Sequence, residues 1–229
     1  MKIGVTGQNK NMLRQKTITK IEAQKRRPNR CSVFIDGKFA FGLDDEIVAK
    51  FGLKKGQDVN EPTLKKIRLG ENENKAKETA LRFLSFRRRT ENEIKDKLKQ
   101  KGFDENTIKR TVEKLEEYDL INDLEFATAW VKERLEYKPR GKKLLKQELW
   151  KKGIKKEIID QVLNESCQNE DKSALELLEK IKNRYKNLEP QVARRRMYGF
   201  LLRRGFSYGT AKTAMEQSLS PLPRMENEG

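Results

Sequence analysis

The chain has 229 residues, 38% charged and 35% hydrophobic, and no histidine, which excludes any His-based triad, His proton shuttle or His-ligated metal site. Its two cysteines, Cys31 and Cys167, cannot build a four-thiolate zinc centre, and their wide separation reads as two reduced thiols of a cytosolic protein. A net charge of +17 predicts attraction to polyanions, with nucleic acid ahead of membrane, and no run of about 18 apolar residues marks a membrane span.

Further absences narrow the function. Neither GxxxxGK[ST] nor GxGxxG occurs, and no pair of carboxylates is singled out by its setting. The N-terminus lacks an apolar signal-peptide core. The expectation is a cytoplasmic, monomeric, non-catalytic binding protein with no cofactor and no metal. So polar a composition suits an elongated chain with much surface per residue.

In chain order, residues 1–30 hold nine Lys/Arg against one Glu, and 1–16 read as a basic, flexible arm. Residues 17–70 read as a small α/β module. Ile18–Glu22 has strand character, and Arg26-Arg27-Pro28-Asn29-Arg30 reads as a basic loop, because proline removes a ladder donor. Cys31–Ile35 and Lys38–Gly42 flank Asp36-Gly37, the strongest short hairpin signal. Asp44 or Asp45 caps a helix over Glu46–Phe51, Glu61 or Thr63 opens one towards Leu69, and Gly70–Asn74 reads as a polar linker. The module is either a structural cap on the helical region after it or a binding element, in which case Arg26, Arg27 and Arg30 would do the binding.

Three helical repeats come next, at 75–121, 122–168 and 171–218, before a tail at 219–229. Their common mark is an apolar residue, two further residues, a cation, a glycine and a second apolar residue. It occurs as Leu98…Lys101-Gly102-Phe103, Leu149…Lys152-Gly153-Ile154 and Leu201…Arg204-Gly205-Phe206. The glycines recur at 51 and 52 residues (102 to 153 to 205), a repeat of three-helix units. Each mark is a helix end with its glycine left-handed and a cation at the negative end of the dipole.

In repeat one, Thr90-Glu91-Asn92-Glu93 is a capping box, and Ile94/Leu98 and Ile108/Val112/Leu115/Tyr118 are inward stripes. In repeat two, Asn122 and Asp123 start a helix bearing Phe126, Ala127, Trp130 and Val131. Leu144, Leu145, Leu149 and Trp150 line the next helix, and both tryptophans read as core rather than as a ligand cage. In repeat three, Ala174, Leu175, Leu177, Leu178 and Ile181 form the first stripe, Pro190 opens the second helix and Ser207 caps the third. The fold expected is mainly α: three tandem three-helix repeats forming an extended, curved solenoid behind a small N-terminal α/β module with a β-hairpin.

Basic clusters recur at comparable places: Arg87, Arg88 and Arg89 before the first capping box; Lys138, Arg140, Lys142 and Lys143 in repeat two; Arg194, Arg195, Arg196, Arg203 and Arg204 in repeat three. Regular stacking would set them along one side as a track for a periodic polyanion. The bland alternative is scattered solubilising charge. Lys101, Lys152 and Arg204 stand open between dipole complement and binding track.

These motifs resemble one family, the RecX regulatory proteins. The resemblance rests on Ala80-Leu81-x-x-Leu84-x-x-Arg87-x-Arg89-Thr90-x-x-Glu93-Ile94-x-x-x-Leu98-x-x-Lys101-Gly102 in repeat one. Repeat two supplies Asp123-x-x-Phe126-Ala127-x-x-Trp130-Val131-x-x-Arg134, Gly141 and Glu148-Leu149-x-x-Lys152-Gly153-Ile154; repeat three supplies Tyr198-x-x-Leu201-x-Arg203-Arg204-Gly205-Phe206. Asn122 stands where the family often has an aspartate, and asparagine also caps helices. The resemblance implies a protein that binds RecA filaments on single-stranded DNA, with duplex DNA as a second candidate. It also implies that the protein modulates, usually inhibits, strand exchange, ATP hydrolysis and coprotease activity.

Overall fold

The computed structural model describes residues 15–219, which divide into two compact units. One comprises the residues up to Phe86 with Lys97–Lys114; the other comprises Arg87–Asp96 and everything from Leu115 onward.

The first unit opens with β1 (Lys16–Gln24), β2 (Arg27–Ile35) and β3 (Lys38–Asp44), an antiparallel meander to which β4 (Asp58–Val59) adds outside β1, in the order β3-β2-β1-β4. Asp36 and Gly37 both take positive φ, 49° and 78°, as a two-residue hairpin turn demands. Asp44 caps α1 (Asp45–Lys50) by accepting from the Glu46 amide. Ile18, Val33, Leu43, Ile47, Leu64 and Ile67 fill the core between the sheet and the helices.

Several expectations are corrected here. Lys16 belongs to β1 and pairs with Val59 across the sheet, so it is not part of an arm; of the rest of the expected arm only Gln15 is described, and Met1 to Arg14 lie outside the described residues, as does 220–229. The basic loop shrinks to a turn at Lys25 and Arg26, because Arg27–Arg30 already run in β2. Pro28 is tolerated there because the β1 register jumps from Ala23↔Cys31 to Gln24↔Arg27, leaving its missing N–H outside the ladder.

The expected linker at Gly70–Asn74 is helix. A single α2 (Glu61–Leu84), capped by Asn60, runs from the module into the first repeat. The polar run stays helical because its acids have partners. Glu71, 4% exposed, accepts from Arg30 Nη2 at 2.7 Å and from the Asp44 amide at 2.9 Å. Glu73 accepts from Arg110 at 2.8 Å and Lys114 at 3.0 Å. Gly70 faces the Phe51 ring, which a Cβ would approach to 3.0 Å.

The repeats then read as α3 (Glu91–Gln100) and α4 (Glu105–Glu117); α5 (Asp123–Tyr137), α6 (Lys142–Lys151) and α7 (Lys156–Ser166); α8 (Glu170–Ile181), α9 (Pro190–Arg203) and α10 (Tyr208–Leu219). A 3-10 turn at Lys182–Tyr185, which the sequence did not signal, comes after α8. With the second half of α2 these are three three-helix repeats. The Thr90–Glu93 box forms: the Glu93 amide donates to Thr90 Oγ1 at 3.2 Å. Repeat two buries Phe126, Ala127, Val131, Leu145, Leu149 and Ile159 in one core; repeat three buries Leu178, Leu201, Phe206 and Met215 in another. Two expected core residues are not in it. Tyr118 and Trp150 are 68% and 63% exposed, Tyr118 because α4 ends before it, Trp150 because the buried side of α6 runs through Leu145 and Leu149.

Gly102, Gly153 and Gly205 have φ of 82°, 77° and 88°. In each copy the glycine amide donates to the carbonyl three residues back and the next amide reaches five back, as Ile154 does to Leu149 and Phe206 to Leu201. Two of the three ends also form joints inside the second unit. The α6 end meets the α3 start: Thr90 Oγ1 donates to the Lys152 carbonyl at 2.8 Å, and a Cβ on Gly153 would lie 2.3 Å from Asn92 Cβ. The α9 end meets the α6 start: the Gly141 and Lys143 amides donate to the Arg204 and Gly205 carbonyls at 2.9 and 3.2 Å, and a Cβ on Gly205 would lie 2.3 Å from Leu144 Cβ. No described atom lies within 4 Å of a Cβ on Gly102.

The three glycines therefore separate by experiment. Gly102→Ala meets only the left-handed backbone and should cost about 1–2 kcal/mol. Gly153→Ala and Gly205→Ala add a steric overlap and should each cost about 1–3 kcal/mol more. Urea midpoints of the three variants check the order.

Candidate functional site

The two joints collect charge as well as backbone. At the first, Glu93 accepts from Arg87 Nη1 and Nη2, at 3.1 and 3.0 Å, and from Lys152 Nζ at 3.1 Å. The Lys152 ammonium also lies 4.5 Å above the Trp130 ring and 5.2 Å from that of Phe126. Arg134 stacks on Trp130 at 4.0 Å, and Trp130 Nε1 donates to Glu148 Oε2 at 2.9 Å. Near the second joint, Glu148 forms an ion pair with Arg140 and faces Arg134 Nε at 3.5 Å, an ionic contact outside hydrogen-bond geometry.

The Glu93 carboxyl sits below its ordinary 4.5: burial pushes it up, and the hydrogen bonds and charges of Arg87 and Lys152 more than offset that. The opposite holds at Asp123, whose burial pushes its carboxyl above the ordinary value although it accepts from the Glu91 amide. Arg140 is pushed down, by burial first and then by the nearby charges of Arg134 and Arg204. Arg89 is pushed down by burial and by Arg87.

The expected contact residues thus divide. Arg30 is not at a binding loop: its head is 17% exposed, bonded to Glu71 and to the Gly42 carbonyl at 3.1 Å. Arg87 and Arg140 are held in the joints, and Arg204 stacks on Phe200 at 5.1 Å while its carbonyl serves the second joint. Arg89 is half-buried beside Arg87. Arg88 pairs with Glu125 at the surface, where such a pair holds little energy. The Lys142 amide donates to Glu170 at 2.7 Å. Arg26, Arg27, Lys143, Arg194, Arg195, Arg196 and Arg203 are exposed, and none has an ion pair among the described residues. The last four share α9. Sequence reasoning assigned Glu71 no role, since its segment read as a linker, and Glu148 appeared there only as a member of the repeat-two motif, with no partner to mark it as an ion-pair centre.

Among the described residues no group of three or more Cys, Asp or Glu side chains is placed to hold a metal ion, and no helix is long and apolar enough to cross a membrane.

Family models match most of this architecture: "Regulatory protein RecX N-terminal domain" over 16–60, and the first, second and third RecX three-helix domains over 76–115, 122–163 and 169–215. The chain belongs to the RecX regulatory protein family. A RecX of Clostridium perfringens (strain 13 / Type A) is 37% identical over 194 residues, covering 83% of this chain and 91% of that one. A RecX of Bacillus subtilis (strain 168) is 34% identical, covering 87% and 76%. Among solved structures, a regulatory protein RecX aligns with TM-score 0.72 and 29% identity over 88% of this chain and 99% of that chain. RecX from Lactobacillus salivarius gives 0.60 and 30% over 65% and 97%.

The buried charge is open to two tests. Arg30→Ala leaves the buried Glu71 carboxylate with Lys75 Nζ, at 3.2 Å, and the Asp44 amide, and should cost about 1–3 kcal/mol in urea unfolding, whereas Arg30→Met with Glu71→Leu should not recover it, because the buried Asp44 amide then loses its acceptor. Because the Glu93 carboxyl titrates below 4.5 in the fold, its stabilisation is complete above pH 4.5 and is lost as the pH falls through the lowered value. The gap in unfolding midpoint between wild type and Glu93→Gln should therefore close on acidification from about pH 7 to about pH 3.

Proposed function

We propose that this protein binds RecA recombinase filaments on single-stranded DNA and modulates them, in the inhibitory direction, so restraining strand exchange, ATP hydrolysis and coprotease activity. It acts as a cytoplasmic monomer, through its repeats and not through catalysis. Family membership supports RecA as the partner. The observation that carries the contact chemistry is the run Arg194, Arg195 and Arg196 with Arg203, exposed on α9 without a carboxylate partner among the described residues. Charges left uncompensated in the folded state are available for an acidic protein surface or a phosphate backbone, whereas those locked in the joints are not. The predicted units, 17–70, 75–121, 122–168 and 171–218, are in this reading one N-terminal module and three successive contact segments.

The exposed basic run also suits a protein that binds DNA without RecA. That reading predicts binding to naked DNA with a steep salt slope, because each neutralised phosphate releases counterions.

The deciding measurement is the DNA-dependent ATPase of RecA against added protein. Wild type should slow it at or below one protein per filament-binding site. Arg194→Ala/Arg195→Ala/Arg196→Ala should require roughly tenfold more protein. No slowing at low salt across a wide titration would sink the RecA reading. DNA binding that persists at physiological salt with no preference for the filament would favour the second.

A further inference from the structure

Gly199 is out of place on α9. Glycine in a helix interior is less favourable than alanine, so it needs a reason in backbone angle or packing. Gly199 has neither. Its φ is not positive, and a Cβ there would meet only the flexible end of Arg203, Nη1 at 3.2 Å. Gly141 and Gly205, by contrast, are explained by the backbone and side chain pressed against them in the second joint.

The surroundings of Gly199 are all of one kind. Arg195, Arg196 and Arg203 lie four before, three before and four after it, the spacings that make neighbours on a helix surface. All three are exposed, and none has an ion pair among the described residues. Next to Gly199, Tyr198 meets Tyr208 edge to face, with ring centroids 5.1 Å apart at 77°. The Tyr198 hydroxyl donates to the Tyr208 carbonyl at 3.4 Å. Tyr208 is 72% exposed and is the first residue of α10, so its backbone stands at the positive end of that helix.

From this we infer that the solvent face of α9 is a subsite for single-stranded DNA, in which one phosphate seats on the bare backbone at Gly199 between Arg196 and Arg203 and an adjacent base stacks on Tyr208. The inference rests on the proposed action at single-stranded DNA and deepens it. A missing Cβ lets a phosphate approach the helix, and guanidinium groups on both sides bind its oxygens. An exposed ring held by a second ring offers a stacking face to an unpaired base of any sequence, which a duplex cannot supply.

The test uses the full chain and a labelled oligodeoxythymidylate, with binding followed by anisotropy over a salt series. Gly199→Ala should raise the thermal midpoint by about 2–4 °C through helix propensity, yet weaken binding by roughly tenfold. Tyr208→Ala should weaken it by about 5- to 100-fold with the salt slope unchanged, and Tyr208→Phe should restore it. Arg196→Ala/Arg203→Ala should flatten the salt slope by about 0.7. A duplex of the same length should bind more weakly and ignore Tyr208→Ala. Unchanged affinity in Gly199→Ala or Tyr208→Ala, or no binding by wild type at low salt, overturns the subsite. The RecA ATPase titration on the same preparations keeps the two ideas apart. Slowing by wild type with the subsite results negative removes only the subsite; the predicted oligonucleotide results without slowing keep the subsite and remove the RecA reading.

Discussion

The second unit depends on opposite helix ends meeting. The carbonyls left over at the end of α9 are taken by amides left over at the start of α6, and the Lys152 carbonyl at the end of α6 by the Thr90 hydroxyl at the start of α3. Orphan groups that would otherwise need water satisfy one another, and the macrodipoles run head to tail. The glycine at each end then has two separate duties. It turns left-handed to close the helix, and it leaves no Cβ in the joint. The second duty explains why Gly153 and Gly205 are more constrained than Gly102, although all three have the same left-handed backbone.

Charge obeys the same division. The +17 of the chain is not one pool. Glu71, Glu93 and Glu148 each hold cations as ion pairs, so Arg30, Arg134, Arg140 and Lys152, which are largely shielded, and Arg87, which stays half exposed, are neutralised locally. A shielded ion pair adds little net energy by being present but is expensive to break, so Arg134, Arg140 and Lys152 act on the geometry around the joints more than on net stability, and Arg30 acts likewise inside the first unit. The exposed arginines of α9 have no such partners among the described residues. A basic cluster in the sequence is therefore a binding candidate only after the carboxylates that the fold brings to it have been subtracted.

That subtraction cannot be made from the sequence. Local rules carried far: Asp36-Gly37 turned, Thr90 with Glu93 boxed a helix start, and three equally spaced glycines marked three repeats, because each of these depends on residues adjacent in the chain. Gly70–Asn74 looked like a linker because its acids looked solvated; their partners, Arg30 and Arg110, are about 40 residues away on either side. Arg27–Arg30 looked like a loop for the same reason in reverse, since a register jump gave Pro28 a place inside a strand. The basic residues that the sequence lines up as one set are divided by the fold into paired and exposed members. What separates Arg140 from Arg195 is Glu148, which pairs with the first and not with the second, and no local pattern encodes that.

Trp130 shows how far a single core residue can reach. Its indole lies against Lys152 and Arg134, and its N–H holds Glu148. Lys152 is tied to Glu93 at the first joint, and Glu148 to Arg140 beside the second. One ring therefore orients the ionic partners of both joints. Two cations at one ring would repel each other across open solvent; here each has its own carboxylate and the shared ring quadrupole, so the repulsion is offset within the cluster. Arg140 in turn feels the charge of Arg204, the residue that ends α9 one position after the exposed Arg203. A contiguous set of contacts thus leads from the basic face of repeat three, through the tryptophan of repeat two, to the capping box of repeat one. Each link is an ion pair, a ring contact or a hydrogen bond, and the one that enters from repeat three is the Gly141 amide on the Arg204 carbonyl.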